Sequence, residues 1–469
     1  MTNSRFLLFS FAFICVHSRP IQAADFRAGV ARIDITPKSP IWMSGYADRT
    51  HPSTGVVHPL WAKALALEDK KGRAVIVTTD LIGLPRAITD LVAARAEKEY
   101  GLDRSRLLFN SSHTHTGPVV LPNLVTMFDM SAADHQVLED YSRKLTEDLF
   151  TAIGAALDKL APAQISYGLG KAHFAVNRRE PTPKGVRIGV NPTGPVDPDV
   201  PVLRVTSPDG TLLAVLFGYA CHNTTLTGKF FELSGDYAGF AQIDLEKAHP
   251  GATAMFLMLC GADQNPNPRS ALELAEQHGR TLADEVDRVL RTDLVPLKGP
   301  IRTAYRNIEL DFALHTRATF EAELKNTNAA RVRRAQAMLK AYDDRHPIRR
   351  TPYPIQAIRF DNVLTILALG GEVVVDYSLR AKREYPANLI VAGYSNDVMS
   401  YIPSQRVLHE GGYEAVDSMI YYGQPGPYAD DVEERIFTGI HRVMKTLGSP
   451  TSSNPQRPSM LESLRSPPL

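Results

Sequence analysis

The strongest chemical signal in the sequence is a pair of histidines, His113 and His115, that follows an apolar run and precedes a Gly-Pro turn. Side chains of an extended segment alternate between two faces, so both imidazoles are expected to point to the same side. Imidazole is both a common metal ligand and a proton carrier near neutral pH. The spacing therefore predicts that one histidine binds a metal ion while the other faces the reacting group. The alternative is a solvated turn that contains two histidines.

Three further polar residues stand where they could add to such a centre. His222 directly follows an apolar run, and is either a metal ligand or a hydrogen-bonded core histidine. Glu372 follows two glycines in an otherwise apolar stretch, so its carboxylate must be paired, cap a helix or bind a metal if it is buried. Asp236 is placed to cap the next helix or to orient a ligand histidine. The residues themselves leave these alternatives open.

Alternating strand and helix patterns predict the elements that position these side chains. Residues 74–80 are a β-branched run typical of a buried strand, 86–100 are typical of a helix, and 107–110 of another strand. This order predicts a βαβ unit with parallel strands. A second such unit, followed by a longer helix, is predicted over residues 212–219, 237–247, 254–259 and 272–290.

Four polar residues each follow closely on a predicted strand: Asp80, His113, His222 and Asp263. Ligands of open α/β sheets bind beyond the carboxyl ends of parallel strands. We therefore expect an α/β fold, with mixed sheets and a parallel βαβ core flanked by helices, in a single large domain over residues 26–447. Its later part is predicted to hold a long amphipathic helix, a hairpin and a last helix, over residues 318–342, 358–369 and 430–444.

Both ends of the chain differ from this domain in composition. Residues 1–24 contain Arg5, an apolar stretch over residues 6–16 and small residues before a cleavage point after Ala23 or Ala24, which is the pattern of a signal peptide. The apolar stretch is too short for a permanent span, and no second long one follows. We therefore expect a secreted or periplasmic protein without a transmembrane anchor. Residues 448–469 are rich in Pro and Ser and predict a disordered tail.

The bulk composition excludes other classes of protein. A chain of 469 residues with 44% hydrophobic and 22% charged residues is that of a globular protein. Its net charge of +1 lacks the basic surplus of a nucleic-acid binder. Loss of the signal peptide leaves Cys221 and Cys260, which either pair or are buried separately. No CxxC motif occurs, so a thiolate zinc site is not expected. The sequence does not predict an oligomeric state.

Taken in order, the motifs resemble those of the catalytic domain of the neutral (non-lysosomal) ceramidases. The resemblance begins at residues 26–37, FRAGVARIDITP, and includes the HTHTGP segment at 113–118. It continues through Gly45-Tyr46, Asn177-Arg178, His222, the SGDxxG segment at 234–239, GADQNPN at 261–267, Gly371-Glu372, Ser395-Asn396, Tyr401-Ile402 and Tyr413-Glu414-Ala415.

The resemblance implies a zinc-dependent hydrolase that cleaves a linear N-acyl (amide) bond, of ceramide or a related N-acyl lipid, with a zinc-activated water. The family's zinc ligands, for one ion per chain with a position left for water, match His113, His222, Glu372 and Tyr401. His115 matches a histidine beside the metal that suits proton transfer. Arg178 and Tyr413 match residues that stabilise the developing oxyanion. Tyr401 can serve because bound zinc favours the deprotonated phenol.

Two features depart from the family's pattern. Asn265 stands where ceramidases have a serine before Pro-Asn, which excludes a mechanism that needs a serine nucleophile there but not a zinc–water mechanism. The sequence also ends near the end of the catalytic domain, without the C-terminal β-sandwich of long family members. An N-acyl substrate is expected, and the choice between ceramide and another amide stays open because family membership does not decide it.

Two other functions match parts of the sequence. HTH and GD fragments suggest a dinuclear metallophosphoesterase, yet the Asp-x-His and Gly-Asn-His motifs that this class needs ahead of its HxH element do not occur. Hydrolysis of an aryl phosphate would favour that class. Asn265 suggests a non-catalytic metal-binding or scaffold member of the family, although all four ligands and His115 are retained. Purified protein without tightly held zinc would favour the scaffold.

Overall fold

The structure, a computed structural model, describes residues 25–448. The predicted signal peptide, and the predicted tail beyond Gly448, lie outside the described residues. Within residues 25–448, no helix combines the length and the hydropathy that a membrane span requires.

The strands of the first half of the described chain are β1 (Phe26–Asp34), β2 (Gly55–Val56), β3 (Trp61–Asp69), β4 (Gly72–Thr79), β5 (Leu107–Ser111), β6 (Ala161–Lys171), β7 (Ala175–Thr182), β8 (Gly185–Asn191), β9 (Asp199–Thr206) and β10 (Leu212–Tyr219). Those of the second half are β11 (Glu232–Leu233), β12 (Thr253–Met258), β13 (Gln264–Pro266), β14 (Val295–Pro296), β15 (Ile301–Asp311), β16 (Arg350–Phe360), β17 (Leu364–Leu369), β18 (Glu372–Val373), β19 (Asn388–Ala392) and β20 (Tyr401–Ile402). The α-helices are α1 (Arg86–Tyr100), α2 (Ala132–Asp158), α3 (Asp236–Ala248), α4 (Leu272–Leu290), α5 (Arg317–Glu323), α6 (Ala329–Asp343), α7 (Val375–Glu384), α8 (Gln405–Glu410) and α9 (Val432–Thr446).

The larger sheet has the strand order β12-β10-β9-β6-β1-β3-β4-β5, with β14 beside β6. A parallel pair stands at each end of this order, β10 with β12 and β4 with β5, and the pairs between them are antiparallel. Helix α1 connects β4 to β5, and α3 connects β10 to β12. Both predicted βαβ units are confirmed, and so is the mixed α/β fold class.

A second sheet, with the order β15-β16-β17-β19, packs on one face of the first. Side chains of β3 alternate between the two layers that cover the larger sheet. Leu65 and Leu67 face the second sheet. Ala62, Ala64 and Ala66 face helices α1 and α2. Helices α3 and α4 cover β9, β10 and β12 on the same outer side. Helices α7 and α9 cover the second sheet. Strands buried on both faces read as continuous apolar runs, which explains the sequence pattern.

Two predictions about local structure have clear outcomes. The hairpin around residues 361–362 is confirmed, because β16 and β17 pair antiparallel with Ile358 opposite Ile366. The single long helix over residues 318–342 is wrong, since α5 ends at Glu323 and α6 begins at Ala329. Asn328 caps the second helix by accepting a hydrogen bond from the Arg331 N–H, so a new helix starts in a stretch whose composition suits one helix.

The two cysteines of the domain are buried and free. Of the two alternatives for Cys221 and Cys260, separate burial is therefore the one that the structure shows. Burial raises the pKa of both thiols, which keeps them protonated and unreactive.

Asn110, near the end of β5, forms hydrogen bonds that hold the ends of three strands together. Its side-chain Nδ2 donates to the Met258 carbonyl at 3.1 Å and to the Gly393 carbonyl at 2.8 Å, and its Oδ1 accepts from the Met258 N–H at 2.8 Å. These bonds bring the two ends of the larger sheet and the end of β19 together. The loops that follow β5, β10, β12 and β17 consequently open into one space.

Candidate metal centre

Two imidazoles meet where β5 and β10 end. His113 Nδ1 lies 2.6 Å from the Ile82 carbonyl oxygen, and His222 Nδ1 lies 2.8 Å from the Gly261 carbonyl oxygen. A carbonyl oxygen only accepts hydrogen bonds, so each Nδ1 carries the ring proton and each Nε2 is left with a bare lone pair. The two Nε2 atoms lie 3.1 Å apart.

Glu372 and Tyr401 add two oxygen atoms to this pair. Glu372 Oε2 lies 2.9 Å from His113 Nε2 and 3.2 Å from His222 Nε2, and Tyr401 Oη lies 3.1 Å from His222 Nε2. The short strands β18 and β20 pair in parallel with Glu372 opposite Tyr401, which places the two side chains together. Gly371 has a φ of +75°, and a Cβ there would lie 2.5 Å from Ile402, so the turn into Glu372 requires glycine.

The four donor atoms suit a divalent cation. Bonds of about 2.0–2.1 Å in tetrahedral directions place ligand atoms roughly 3.3 Å apart, close to the three distances among His113, His222 and Glu372 and to the distance from Tyr401 to His222. All four residues are buried, and among residues 25–448 Glu372 Oε2 has no hydrogen-bond donor. Two bare imidazole nitrogens and a carboxylate oxygen would repel one another in a dry site. A cation is the partner that removes this repulsion.

The charge states of these ligands agree with metal binding. Burial, with the charges of Arg178 and His113, lowers the pKa of His222 to about 3, so that its imidazole is neutral. Burial opposes the charge of Glu372, whereas positive charge at the positions of His113 and His222 lowers the pKa of that carboxyl well below its usual range; with both Nε2 atoms bare, a bound cation would supply that charge. Burial raises the pKa of Tyr401, and the neighbouring Arg178 opposes this shift. Neutral imidazole and ionised carboxylate are the forms that bind metals.

His115 lies beside these four residues. Its Nε2 is 3.0 Å from His113 Nε2, and the ligand nitrogens of His113, His115 and His222 all lie within 4.8 Å of one another. Its buried Nδ1 has no hydrogen-bond partner in the described part of the chain. Burial and the two neighbouring histidines lower the pKa of His115 well below its usual value. A neutral imidazole in this position can either bind the metal or carry a proton.

The convergence of His113 and His115 has a different origin from the one predicted. His113 has a φ of +64°, in the left-handed region, so the segment is not extended and strand alternation does not align the rings. The segment turns, and Thr114 forms an isolated parallel bridge with Asn223, next to His222. Gly45 packs against the imidazole of His115, where a Cβ would lie 2.4 Å from its Nδ1.

Arg178 and Tyr413 border the centre. Arg178 lies on β7, and its Nη2 donates to Tyr401 Oη at 3.0 Å while its Nε donates to Glu414 Oε1 at 2.8 Å. Its guanidinium lies 5.7 Å from the centre of the Tyr413 ring. Burial disfavours the charge of Arg178, but Tyr401 and Glu414 outweigh that effect and raise its pKa. Arg178 is therefore a fixed cation at the edge of the centre.

A cavity of about 210 Å³ opens beside these residues. His115, Arg178, Tyr401 and Tyr413 all line it, as does Asn265. The side-chain oxygen of Asn265 accepts hydrogen bonds from Arg178 at 3.3 Å and from Thr224 at 3.2 Å. The departure from the family's pattern therefore lies in the wall of the cavity.

Two tyrosines at the site carry no signal in the sequence, whereas Glu414 belongs to the Tyr413-Glu414-Ala415 motif. Tyr422 donates a hydrogen bond to Glu372 Oε1 at 2.6 Å, and the Tyr394 ring lies 4.4 Å from the His113 ring. Glu414 forms buried ion pairs with both Arg178 and Arg179. A tyrosine in a turn has no pattern that distinguishes it from a surface residue, so only the fold identifies these neighbours.

Three aspartates considered in the sequence have structural roles. Asp80 accepts from the Trp61 N–H and from Gln242, and Asp263 accepts from the Val375 N–H and from Asn177. Asp236 is the first residue of α3 and Gly235 is its N-cap, but Asp236 Oδ1 accepts a hydrogen bond from the Tyr237 N–H at 2.6 Å in the first turn of the helix. It accepts a hydrogen bond from the Leu226 N–H at 2.9 Å and so holds the segment that follows His222.

A profile described as neutral/alkaline non-lysosomal ceramidase, N-terminal, matches residues 26–272, which are just over half of the chain. The chain belongs to this ceramidase family. Membership sets aside the metallophosphoesterase alternative. Glu372, Tyr401 and Tyr413 lie beyond the matched residues, so their place at the centre comes from the structure of this chain.

The relatives are distant and longer. The neutral ceramidase of Pseudomonas aeruginosa is 26% identical over 267 residues, 53% of this chain and 38% of that protein. The neutral ceramidase of Drosophila melanogaster is 25% identical over 292 residues, 57% of this chain and 40% of that protein. The chain thus spans about two fifths of the length of these relatives.

Two solved structures share the fold. The crystal structure of neutral ceramidase from Pseudomonas aeruginosa superposes with a TM-score of 0.69 at 19% identity, over 93% of this chain and 77% of that one. A ceramidase complexed with C2 superposes with a TM-score of 0.70 at 18% identity, over the same shares of the two chains. The α/β architecture of the ceramidase family therefore extends over most of this chain.

Proposed function

We propose that this ceramidase-family protein is an exported zinc-dependent amidohydrolase that cleaves the linear amide bond of an N-acyl substrate. One observation carries the proposal: His113, His222, Glu372 and Tyr401 come from separate segments, yet each donor atom lies 2.9–3.2 Å from at least one of the others in a buried site beside a cavity. The matched relatives are named neutral ceramidases, which makes ceramide and related N-acyl lipids the first substrates to test.

Zinc is the proposed metal, with one ion per chain. Two imidazoles, one carboxylate and one phenol oxygen are ligands that zinc accepts, and they leave a coordination position for solvent. Bound zinc would lower the pKa of a water molecule to about 7 and polarise the scissile carbonyl.

His115 is the proposed proton carrier. Its Nε2 faces the ligand group, 3.0 Å from His113 Nε2, and its low pKa leaves the imidazole neutral and able to accept a proton. It would take a proton from the attacking water and pass it to the nitrogen of the departing amine. The same distances would also allow His115 to be a third histidine ligand of the metal. The metal content of a His115 variant distinguishes this role from that of a proton carrier.

Arg178 and Tyr413 are proposed to stabilise negative charge on the carbonyl oxygen. Arg178 is held on two sides by Glu414 and Tyr401, so its position needs little reorganisation during the reaction. Burial raises the pKa of Tyr413, so its hydroxyl keeps the proton that it would donate to the oxyanion.

The test combines metal analysis with a substrate screen. Mature protein is expected to hold about one zinc ion per chain and to release fatty acid from N-acyl substrates that vary in head group and acyl chain. Removing the metal with a chelator should abolish hydrolysis, and adding zinc back should restore it. Protein that binds no zinc and cleaves no amide would refute the proposal and favour the scaffold alternative.

A further inference from the structure

Arg269 gives the cavity a positive charge without a counter-charge. The lining residues of the cavity, all within residues 25–448, include two arginines and no aspartate or glutamate. Arg178 is paired with Glu414, but Arg269 forms no ion pair with any residue of the described chain. Its Nη2 donates to Tyr46 Oη at 2.9 Å, and its buried Nε–H has no hydrogen-bond partner there. A partly buried donor that lacks a partner is costly unless a ligand supplies one.

The backbone around Arg269 is held on both sides. The Asn267 N–H donates to the Phe174 carbonyl at 2.8 Å, and the Ser270 N–H donates to the Thr225 carbonyl at 2.7 Å. His278 Nε2 lies 2.7 Å from the Pro268 carbonyl oxygen. These bonds fix the loop that carries Arg269, so the guanidinium is positioned before any ligand binds.

Tyr46 places Arg269 next to the reacting groups. The Tyr46 ring lies 4.9 Å from the His115 ring, and its Oη donates to the Leu226 carbonyl at 2.9 Å while it accepts from Arg269. Arg269 is therefore one tyrosine side chain away from the proposed proton carrier. Arg269, Tyr46 and His115 line the same cavity, so a group attached close to the scissile amide would share that cavity with Arg269.

Part of the cavity wall is apolar. Met127, Ile188 and Tyr421 line it, and Ile188 is 47% exposed at its rim. An acyl chain suits these residues, because they can bury methylene groups. With the acyl chain on these residues, Arg269 is left for the amine half of an N-acyl substrate.

We propose that Arg269 binds a carboxylate on the amine half of the substrate, so that this chain prefers N-acyl amino acids to neutral N-acyl amines. The inference rests on the proposed amide hydrolysis at the neighbouring centre. Water adds across the C–N bond, and a fatty acid and a free amino acid are released. A guanidinium pairs with a carboxylate through charge-assisted hydrogen bonds, whereas a neutral head group leaves the Arg269 charge without a counter-ion.

The test compares two substrates that differ in the charge of the head group, N-lauroylglycine and N-lauroylethanolamine. The zinc-loaded protein is expected to prefer N-lauroylglycine by about 10- to 100-fold in kcat/KM, the range of a hydrogen bond to a charged group. Arg269→Gln should remove that preference, mainly through a higher KM for N-lauroylglycine. Arg269→Lys, which keeps the charge, should retain part of it. Arg280→Gln, at an exposed arginine on α4, is the matched control and should keep the full preference.

The outcomes separate the two proposals. Equal kcat/KM for both substrates, or a preference that survives in Arg269→Gln, would overturn the role of Arg269 and leave amide hydrolysis intact. Cleavage of neither substrate, nor of any neutral N-acyl amine, would overturn the hydrolase and the carboxylate preference together. Thermal unfolding of each variant checks that it is folded. If Arg269→Gln does not fold, the Arg269→Lys variant still tests the role of Arg269.

Discussion

The Nε2 atoms of His113 and His222 lie 3.1 Å apart, while the Nδ1 atom of each ring faces a backbone carbonyl oxygen. Each carbonyl fixes both the orientation and the tautomer of its ring, so two lone pairs and the Glu372 carboxylate face one point. Backbone atoms of separate loops impose this arrangement.

His113→Ala and His222→Ala are each expected to abolish zinc binding and amide hydrolysis, because each removes a ligand from a buried set of four. Metal analysis and N-acyl hydrolysis of the purified variants measure both effects. His135→Ala, at an exposed histidine of α2, should retain zinc and activity. A His222→Ala protein that still holds one zinc ion would show that His222 is not a ligand.

His115→Ala is expected to keep zinc and to lower kcat by about 10² or more, the range for loss of a general acid–base group. The reason is that the four proposed ligands would still hold the metal. Metal content and kcat, measured on the same preparation, distinguish the two roles that the geometry allows. Loss of zinc would make His115 a ligand, and full activity would remove it from the mechanism.

Tyr422→Phe is expected to weaken zinc affinity by about 10- to 100-fold, because the hydroxyl holds Glu372 Oε1 at 2.6 Å and so orients the carboxylate. Competition with a chromophoric chelator measures the affinity. Tyr305→Phe removes a hydroxyl that bonds to Asn307, away from the centre, and serves as the control. Equal affinity in Tyr422→Phe and in the unaltered protein would contradict the positioning role.

Asn265→Ala is expected to leave measurable hydrolysis, with a loss of about 10-fold or less. Asn265 accepts hydrogen bonds from Arg178 and Thr224, and the loss of such bonds typically costs about 1 kcal/mol. The measurement is kcat/KM for the best substrate of the screen. Complete inactivity with zinc still bound would assign Asn265 a direct role in the reaction.

Asp397 is expected to make stability fall as the pH rises. Burial raises the pKa of Asp397 to about 7, and the negative charge of Asp90 adds to this rise. The hydrogen bond from the Arg86 N–H and the positive charge of Arg86 oppose it. The folded state then holds a proton that the unfolded carboxyl releases near pH 4, so the free energy of unfolding decreases between about pH 4 and about pH 7.

Asp397→Asn tests this linkage, since the amide oxygen can still accept from the Arg86 N–H and carries no charge. Urea unfolding across that pH range should show that the free energy of unfolding of the variant falls less steeply with pH than that of the unaltered protein. The expected difference is up to about 1.4 kcal/mol per pH unit. Asp293→Asn, at an exposed position, should leave the slope unchanged. An identical slope in Asp397→Asn would contradict the raised pKa.

Local patterns in the sequence predicted the local elements. The β-branched run at residues 74–80 corresponds to β4, and the two βαβ units correspond to parallel pairs at the two ends of one sheet. The helix predicted over residues 318–342 failed because Ala, Arg, Glu and Lys suit either one helix or two, and the cap at Asn328 decided between them. Composition reports propensity over a window and not the residue at which a helix restarts.

The sequence by itself determined the chemistry that the site can hold: two histidines one residue apart, a third after a second strand, and a carboxylate and tyrosines in the order of a known family. Only the tertiary structure decided that His113, His222, Glu372 and Tyr401 lie together, that Tyr422 contacts Glu372, and that Arg269 lines the neighbouring cavity. The reason is physical. Periodicity reflects contacts a few residues apart, whereas these side chains meet through loops whose positions follow from the packing of two sheets.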